Sequence, residues 1–214
     1  LALNEQDRTE EAIEHYLQAL RINPDFEEAH INLGNVYNKQ GRTEEAIEHF
    51  LHALRINPES EKPKNNLGLA FYNQGRIKEA KEHYLNALRI NPDFEEAHIN
   101  LGNVLNKQGH TEEAIEHYLH ALRINPESEV AHINLGLVLN NQGRTEEAIE
   151  HYLHALRINP ESEEAHNNLA ISFVFKGYIK MAVFHFRKAL HINPDYIPAK
   201  NNLKEVLMKQ QQKK

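Results

Sequence analysis

Histidine is the residue type with the most capacity for chemistry in this chain, which has 15 histidines and no cysteine. Six of them recur every 34 residues: His15, His49, His83, His117, His151 and His185. His120 follows His117 by three residues, a spacing at which two imidazoles on one helix can share a metal ion. However, no third ligand is specified, and the chain lacks the His-Glu-x-x-His order of a zinc protease. We therefore favour a half-exposed column of copied residues over a metal site, and predict no metal and no cofactor.

These histidines would still change the charge of the protein in mild acid. The formal net charge is −7 with every histidine neutral, and full protonation would add 15 positive charges. Unperturbed imidazole titrates at about pH 6.5. We therefore expect stability or affinity for a partner to change steeply between about pH 7 and about pH 5.

The other reactive residue types do not form a recognisable catalytic set. Three of the four serines fall between predicted helices, the glycines are isolated instead of forming a phosphate-binding loop, and the carboxylates repeat along the chain. A catalytic site is normally unique, whereas nearly every feature here is copied. The sequence therefore predicts a protein that is not an enzyme.

Composition excludes two further classes of protein. With a formal net charge of −7, the chain lacks the basic stripe of a nucleic-acid-binding protein. No apolar run approaches the roughly 20 residues that cross a bilayer. Only 40% of the residues are hydrophobic, which is few for one compact core but enough for an elongated array. We expect no nucleic acid partner, no membrane insertion and a cytoplasmic location.

One period organises the whole chain. The dipeptide Asn-Pro recurs every 34 residues, at Asn23-Pro24, Asn57-Pro58, Asn91-Pro92, Asn125-Pro126, Asn159-Pro160 and Asn193-Pro194. In the first interval, apolar residues have helical spacing over 27–40 and over 43–56, with Gly41 between the two segments. Glycine favours the left-handed conformation that ends a helix, and proline disfavours helix at the preceding residue. Each interval therefore predicts two helices joined by a tight turn.

This pattern resembles the tetratricopeptide repeat family. Its residues are Asn32-Leu33-Gly34, Tyr37, Gly41, Ala46, Phe50, Ala53 and Pro58 in the first interval. The resemblance implies an all-α fold: a right-handed superhelical α-solenoid of tandem helix-turn-helix repeats that binds proteins or peptides. One departure is that the family's aromatic residue early in the first helix is replaced by His30, Lys64, His98, His132 and His166, which we expect to loosen packing there.

The same register divides the chain into segments. Residues 1–26 are a partial repeat, with the end of a first helix and a whole second helix. Five complete repeats follow, at 27–60, 61–94, 95–128, 129–162 and 163–196, the last of which is divergent. Residues 197–214 form a polar C-terminal capping helix. Because the chain opens partway through a repeat, we expect it to be truncated at the start.

The resemblance also predicts a binding surface, since first helices line the concave face in this family. The most regular column there is Asn32, Asn66, Asn100, Asn134, Asn168 and Asn202. A carboxamide can pair with both the N–H and the C=O of an extended peptide. Similar asparagines line the repeat arm of O-linked N-acetylglucosamine transferase and armadillo-type solenoids. The alternative is that these amides bond to a neighbouring helix or to water.

Neighbouring columns complete the predicted groove. Its other polar residues are Asn35, Asn103, Asn38, Tyr72, Asn106, Asn140, Lys39 and Lys107. At the C-terminal end Ile171, Val174 and Phe175 make the groove apolar, and they either anchor a partner's hydrophobic residue or support the capping helix. Lys62 alone does not make the carboxylate clamp of the family's chaperone-binding members.

Three functions fit these features. The first, which we favour, is an interaction scaffold that binds an extended peptide or protein segment in the asparagine-lined groove. The second is the substrate-selecting arm of a larger enzyme, such as a glycosyltransferase, with its catalytic domain upstream of residue 1. The third is an assembly module that packs end to end through the incomplete N-terminal repeat.

Overall fold

A computed structural model describes residues 2–212 of the chain, with side chains from residue 8 onward. This part contains twelve α-helices and no β-strand, which confirms the all-α prediction. The helices are α1 Ala2–Ile22, α2 Glu27–Lys39, α3 Thr43–Ile56, α4 Glu61–Asn73, α5 Ile77–Ile90, α6 Glu95–Lys107, α7 Thr111–Ile124, α8 Glu129–Asn141, α9 Thr145–Ile158, α10 Glu163–Phe175, α11 Ile179–Ile192 and α12 Ile197–Gln211. The even-numbered helices are called first helices below, and the odd-numbered ones second helices. The end-to-end contact predicted for the incomplete N-terminal repeat, residues 1–26, falls partly on the side chains of residues 1–7, which lie outside the described ones, and it stays a prediction.

The turn from each first helix to the following second helix depends on one glycine. Gly41 has φ +74°, a left-handed conformation that glycine adopts without steric cost. Its N–H donates to the Asn38 carbonyl at 3.1 Å, and the next N–H, of Arg42, donates to the Tyr37 carbonyl at 2.9 Å. This pair of bonds is the Schellman motif, which satisfies the last carbonyls of the helix. The same arrangement explains why helices separated by so few residues can fold back on each other.

The turn that ends each second helix depends on the asparagine of Asn-Pro. At Asn57 the backbone becomes extended, with φ −133° and ψ 93°. The Asn57 side-chain oxygen accepts the Glu59 N–H at 3.2 Å, and its Nδ2 donates to the Glu27 carboxylate at 3.1 Å. Equivalent bonds join Asn159 to Glu129 and Asn193 to Glu163. The asparagine therefore stops one helix and holds it to the start of the helix that precedes it.

Residues 1–104 form one compact unit. In it α2 packs on α3 and α4 packs on α5, with Leu33, Phe50 and Leu67 fully buried. Gly34 lets α2 approach the Phe50 ring closely, because a Cβ atom on Gly34 would lie 2.6 Å from Cε1 of Phe50. The buried interface thus combines a small residue on one helix with a large ring on the other.

Residues 105–214 form the second compact unit, built in the same way. Here α8 packs on α9, α10 packs on α11, and α12 packs on α11 and α10. Tyr152 is buried opposite Gly136, while the last helix pair has Ala170 at the glycine position and buried Phe186 on its partner helix. This unit shows that the first-helix position facing the large ring can hold an alanine as well as a glycine.

Candidate functional site

The predicted asparagine column is joined by side-chain hydrogen bonds in the unit of residues 1–104. Asn100 on α6 donates through Nδ2 to Oδ1 of Asn65 on α4 at 3.0 Å. Asn65 donates in turn to its neighbour Asn66 at 3.4 Å, and Asn66 donates to Asn35 on α2 at 2.8 Å. A directed chain of four amides therefore connects three successive first helices.

Part of the same arrangement recurs in the unit of residues 105–214. Asn202 on α12 donates to Asn167 on α10 at 3.0 Å, and Asn167 donates to Asn168 at 3.1 Å. Both networks depend on a buried asparagine directly before the column residue, Asn65 in one unit and Asn167 in the other. Our sequence reasoning missed these two residues. The signal was present as the doublet Asn-Asn-Leu, where other first helices have Ile31, Ile99 or Ile133.

These bonds use only part of the capacity of the column residues. A carboxamide has two N–H donors and two acceptor lone pairs. Asn66 uses one N–H and one lone pair, and Asn100 uses one N–H. Each therefore retains a donor and an acceptor, in an orientation that its neighbours fix. The alternative that the column amides bond to a neighbouring helix is therefore correct for Asn66 and Asn100. Each of them nevertheless keeps hydrogen-bonding groups that these bonds do not use.

Exposure divides the predicted groove residues into two groups. Most of them are half-buried or exposed: Asn32, Asn35, Asn38, Lys39, Asn66, Tyr72, Asn100, Asn103, Asn106, Lys107, Asn134 and Asn202. Asn168 is more buried, and Asn140 is only 8% exposed. The prediction that Asn140 lines an open groove is therefore wrong. It lies seven residues after buried Ile133, on the same helix face, which is turned inward.

A depression beside Asn32 was not predicted. It has a volume of about 560 Å³ and lies where α2 and α4 begin. Its lining residues are Phe26, Glu27, Glu28, Ile31, Asn32, Ser60, Glu61 and Lys62. Three carboxylates and one ammonium group give it an acidic character, with the exposed Phe26 ring as an apolar wall.

The apolar end of the predicted groove is open. Phe175 is 67% exposed, so α12 does not cover it. Ile171 and Val174 are half-buried. The alternative in which Phe175 supports the capping helix is therefore wrong, and its role as an anchor for a partner stays a prediction.

A hydrogen-bond donor occupies the position early in each first helix where the family usually has an aromatic residue. His30 Nε2 is 3.0 Å from the Pro24 carbonyl oxygen, and Lys64 donates from Nζ to the Pro58 carbonyl oxygen. The same bond to a proline carbonyl is made by His98 at 2.8 Å, His132 at 3.1 Å and His166 at 3.3 Å. The four histidines are buried. The expectation that they loosen the packing is wrong, because histidine and lysine here both satisfy a turn carbonyl.

His30, His132 and His166 also bond to a histidine of the next second helix. The Nδ1 atoms of His30 and His49 are 2.9 Å apart, and so are those of His132 and His151 and those of His166 and His185. Burial, together with the facing imidazole, lowers the pKa of His49, His151 and His185 to about 4. His49, His151 and His185 are therefore neutral at physiological pH, and the histidine pairs are built into the packing.

The described side chains, those of residues 8–212, include no group of three or more His, Cys, Asp or Glu residues placed to hold a metal ion. None of the described helices is long and apolar enough to cross a membrane.

Family models cover nearly the whole sequence. A TPR repeat model matches residues 1–41, 34–75 and 68–109, and two tetratricopeptide repeat models match residues 93–159 and 163–196. The chain belongs to the tetratricopeptide repeat family. The resemblance inferred from the Asn-Pro period is thereby confirmed. No curated protein matches this tetratricopeptide repeat chain significantly.

Solved structures agree on the fold of this tetratricopeptide repeat chain. YrrB, a TPR protein with an unusual peptide-binding site, is 23% identical with a TM-score of 0.63, over 90% of this chain and 99% of that one. A chain of the APC/C hetero-tetramer Cut9-Hcn1 is 22% identical with a TM-score of 0.86, over 94% of this chain and 40% of that one. A TPR protein of Thermus thermophilus is 22% identical with a TM-score of 0.71, over 85% and 99%. At these identities the likeness shows the fold alone.

Proposed function

We propose that this chain is a non-catalytic protein-interaction scaffold that binds an extended segment of a partner protein along its first helices. The observation that carries the proposal is the set of pre-oriented amides, of which Asn66 and Asn100 each retain a donor and an acceptor. Donors and acceptors held in place before binding lose little conformational freedom when a partner arrives.

The chemistry of these amides suits a polypeptide backbone. An extended backbone presents alternating N–H and C=O groups, and a carboxamide pairs with one of each. Such recognition is tolerant of the partner's side chains, because it contacts groups that every residue has. The peptide-binding site that the name of the YrrB structure mentions belongs to a protein of the same fold, which supports the same use here.

The depression beside Asn32 adds selectivity to the proposed site. Glu27, Glu28 and Glu61 outnumber Lys62 in its lining, and Phe26 offers an apolar surface. A lysine or arginine side chain of the partner fits this chemistry, because its aliphatic stem can lie on the ring while its charge meets the carboxylates. The proposed ligand is therefore an extended segment with a basic residue.

A peptide-display selection tests the proposal. Random peptides are selected on the intact chain, and the affinity of the enriched peptides is measured by fluorescence anisotropy. We expect Asn66→Ala combined with Asn100→Ala to weaken binding by about tenfold or more, because about 1 kcal/mol is lost for each hydrogen bond. The melting temperature should fall modestly, because buried Asn65 loses its bonds to Asn66 and Asn100, so the affinity is measured well below the melting temperature.

Asn86→Ala is the matched control for this experiment. Asn86 is also a half-buried asparagine, but it lies on a second helix and accepts a bond from Arg89. Its replacement should leave peptide affinity unchanged. Failure to enrich any peptide, or equal binding by the double variant and the unmodified chain, contradicts the proposal.

A further inference from the structure

The outer face of α11 differs from that of every other described second helix. A depression of about 370 Å³ lies along it and is lined by Lys180, Val183, Phe184, Arg187, Lys188 and His191. Its centre is Phe184, which is 55% exposed. Below, Lys180, Phe184, Arg187 and Lys188 are called the α11 patch.

Helix geometry places three cations around this exposed ring. Lys180 is four residues before Phe184, Arg187 is three after it and Lys188 four after it, so all three lie on its face of the helix. None of the three forms a salt bridge within the described residues. An exposed aromatic ring surrounded by unpaired cations fits a ligand that presents carboxylates beside an apolar group.

The preceding second helix presents the opposite chemistry at the same positions. In α9 the residue that corresponds to Phe184 is Glu150, and the residue that corresponds to Arg187 is Leu153. The same Glu-x-x-Leu pair recurs in five second helices, as Glu14 with Leu17, Glu48 with Leu51, Glu82 with Leu85, Glu116 with Leu119 and Glu150 with Leu153. These leucines are 37% to 44% exposed. We call this set the Glu-Leu stripe.

The stripe carboxylates are available for an external partner. Arg42 and Arg144 hold Glu45 and Glu147 on the same helices, but no described salt bridge involves Glu48 or Glu150. An unpaired glutamate beside an exposed leucine complements the cations and the exposed ring of the α11 patch. The chain therefore carries two complementary surfaces on different helices.

We propose that the α11 patch of one molecule docks on the Glu-Leu stripe of a second copy of this chain. Phe184 would pack against an exposed leucine of the stripe, while Lys180, Arg187 and Lys188 pair with stripe glutamates of the same compact unit. A second copy is a better match than an anionic membrane or a nucleic acid, because the chain as a whole carries a net charge of −7, which opposes binding to a polyanion, while the stripe offers both carboxylates and exposed leucines. The contact joins two different surfaces, so each molecule keeps one patch and one stripe for a further copy, and the assembly grows until it closes into a ring.

Sedimentation velocity of the intact chain tests this association. Between about 5 μM and about 500 μM protein, at about 50 mM NaCl, we expect the average sedimentation coefficient to rise with concentration. At about 500 mM NaCl the rise should shrink, because salt screens contacts between exposed charges. A monomer at every concentration overturns the proposal, including the case in which that monomer binds vesicles of anionic lipid.

Charge reversal on each side identifies the surfaces. The variant K180E/R187E/K188E and the variant E48K/E116K/E150K should each lose self-association by tenfold or more. An equimolar mixture of the two should associate again, because each reversed surface then meets an oppositely charged one. F184A keeps every charge and should also weaken the association of the unmodified chain.

K204E/K209E is the matched control, since it reverses two exposed lysines on α12 that lie outside the α11 patch. It should associate like the unmodified chain. Circular dichroism establishes that each variant keeps its helical content. Self-association that survives K180E/R187E/K188E in a folded protein, or two folded variants that fail to associate when mixed, overturns the proposal.

Discussion

His30 and His49 face each other through their Nδ1 atoms at 2.9 Å, so only one of these two atoms can carry a proton at a time. The Pro24 carbonyl only accepts, and His30 Nε2 must therefore donate to it. His30 Nδ1 is then the acceptor in the neutral pair, and His49 donates from Nδ1. Protonating both rings would place two N–H groups against each other, which opposes the double charge in the folded state.

The paired histidines predict loss of stability in acid. The pKa of His49, His151 and His185 is lowered to about 4, whereas the unfolded chain titrates at about pH 6.5. The unfolded state therefore binds protons first as the pH falls. The stability that these three histidines contribute is complete above about pH 6.5, decreases down to about pH 4 and changes no further below that. The window predicted from composition alone, pH 7 to 5, thus extends to lower pH.

Melting temperatures measured between about pH 7.5 and about pH 4 check this prediction. The variant H49Q/H151Q/H185Q should show a shallower fall than the unmodified chain, because glutamine does not titrate. His191→Gln is the control: His191 is exposed on α11, and its replacement should leave the profile unchanged. A triple variant that is as acid-sensitive as the unmodified chain would assign the effect to other groups.

We expect Gly68→Ala to destabilise the chain because the added methyl group overpacks the core, and not because the backbone is strained. A Cβ atom on Gly68 would lie 2.5 Å from Cε1 of Tyr84, a fully buried ring. Overpacking of this kind costs about 1–3 kcal/mol, measured by urea unfolding. The contrasting variant is Gly75→Ala, which meets no atom within 4 Å but has φ +74°. It should cost about 1 kcal/mol, and the two losses should add because the causes are independent.

Much of the fold could be read from the sequence because the determinants are local. Gly41 and Asn57 act within a few residues of their own positions, and a 34-residue period repeats them. The candidate site was predicted less completely. Asn65 and Asn140 have similar side chains, yet one orients its neighbours and the other has a buried Oδ1 atom without a hydrogen-bond partner in the described residues. That difference depends on contacts between helices about 35 residues apart, which helical periodicity does not specify.

The role of Asn65 can be tested by replacing it with the residue found at the same position in neighbouring first helices. Asn65→Ile places the residue of Ile31 and Ile99 at the same position, so we expect the fold to persist with a similar melting temperature. Asn65 is 2% exposed and cannot contact a partner directly. Its loss should nevertheless weaken peptide affinity by about three- to tenfold, because Asn66 and Asn100 lose a bond that orients them. An unchanged affinity would show that the column amides bind without this support.

The acidic depression predicts which partner segments are preferred. Glu28→Lys and Glu61→Lys each reverse one carboxylate in its lining, so affinity for peptides with a lysine or arginine should fall, while peptides without one should be affected less. Phe26→Ala should weaken both kinds of peptide, because it removes the apolar wall. Phe94→Ala is the matched control, since Phe94 precedes Glu95-Glu96 as Phe26 precedes Glu27-Glu28 but does not line this depression. If Phe94→Ala weakens binding as much as Phe26→Ala, the preference belongs to the repeated sequence around the turn and not to this depression.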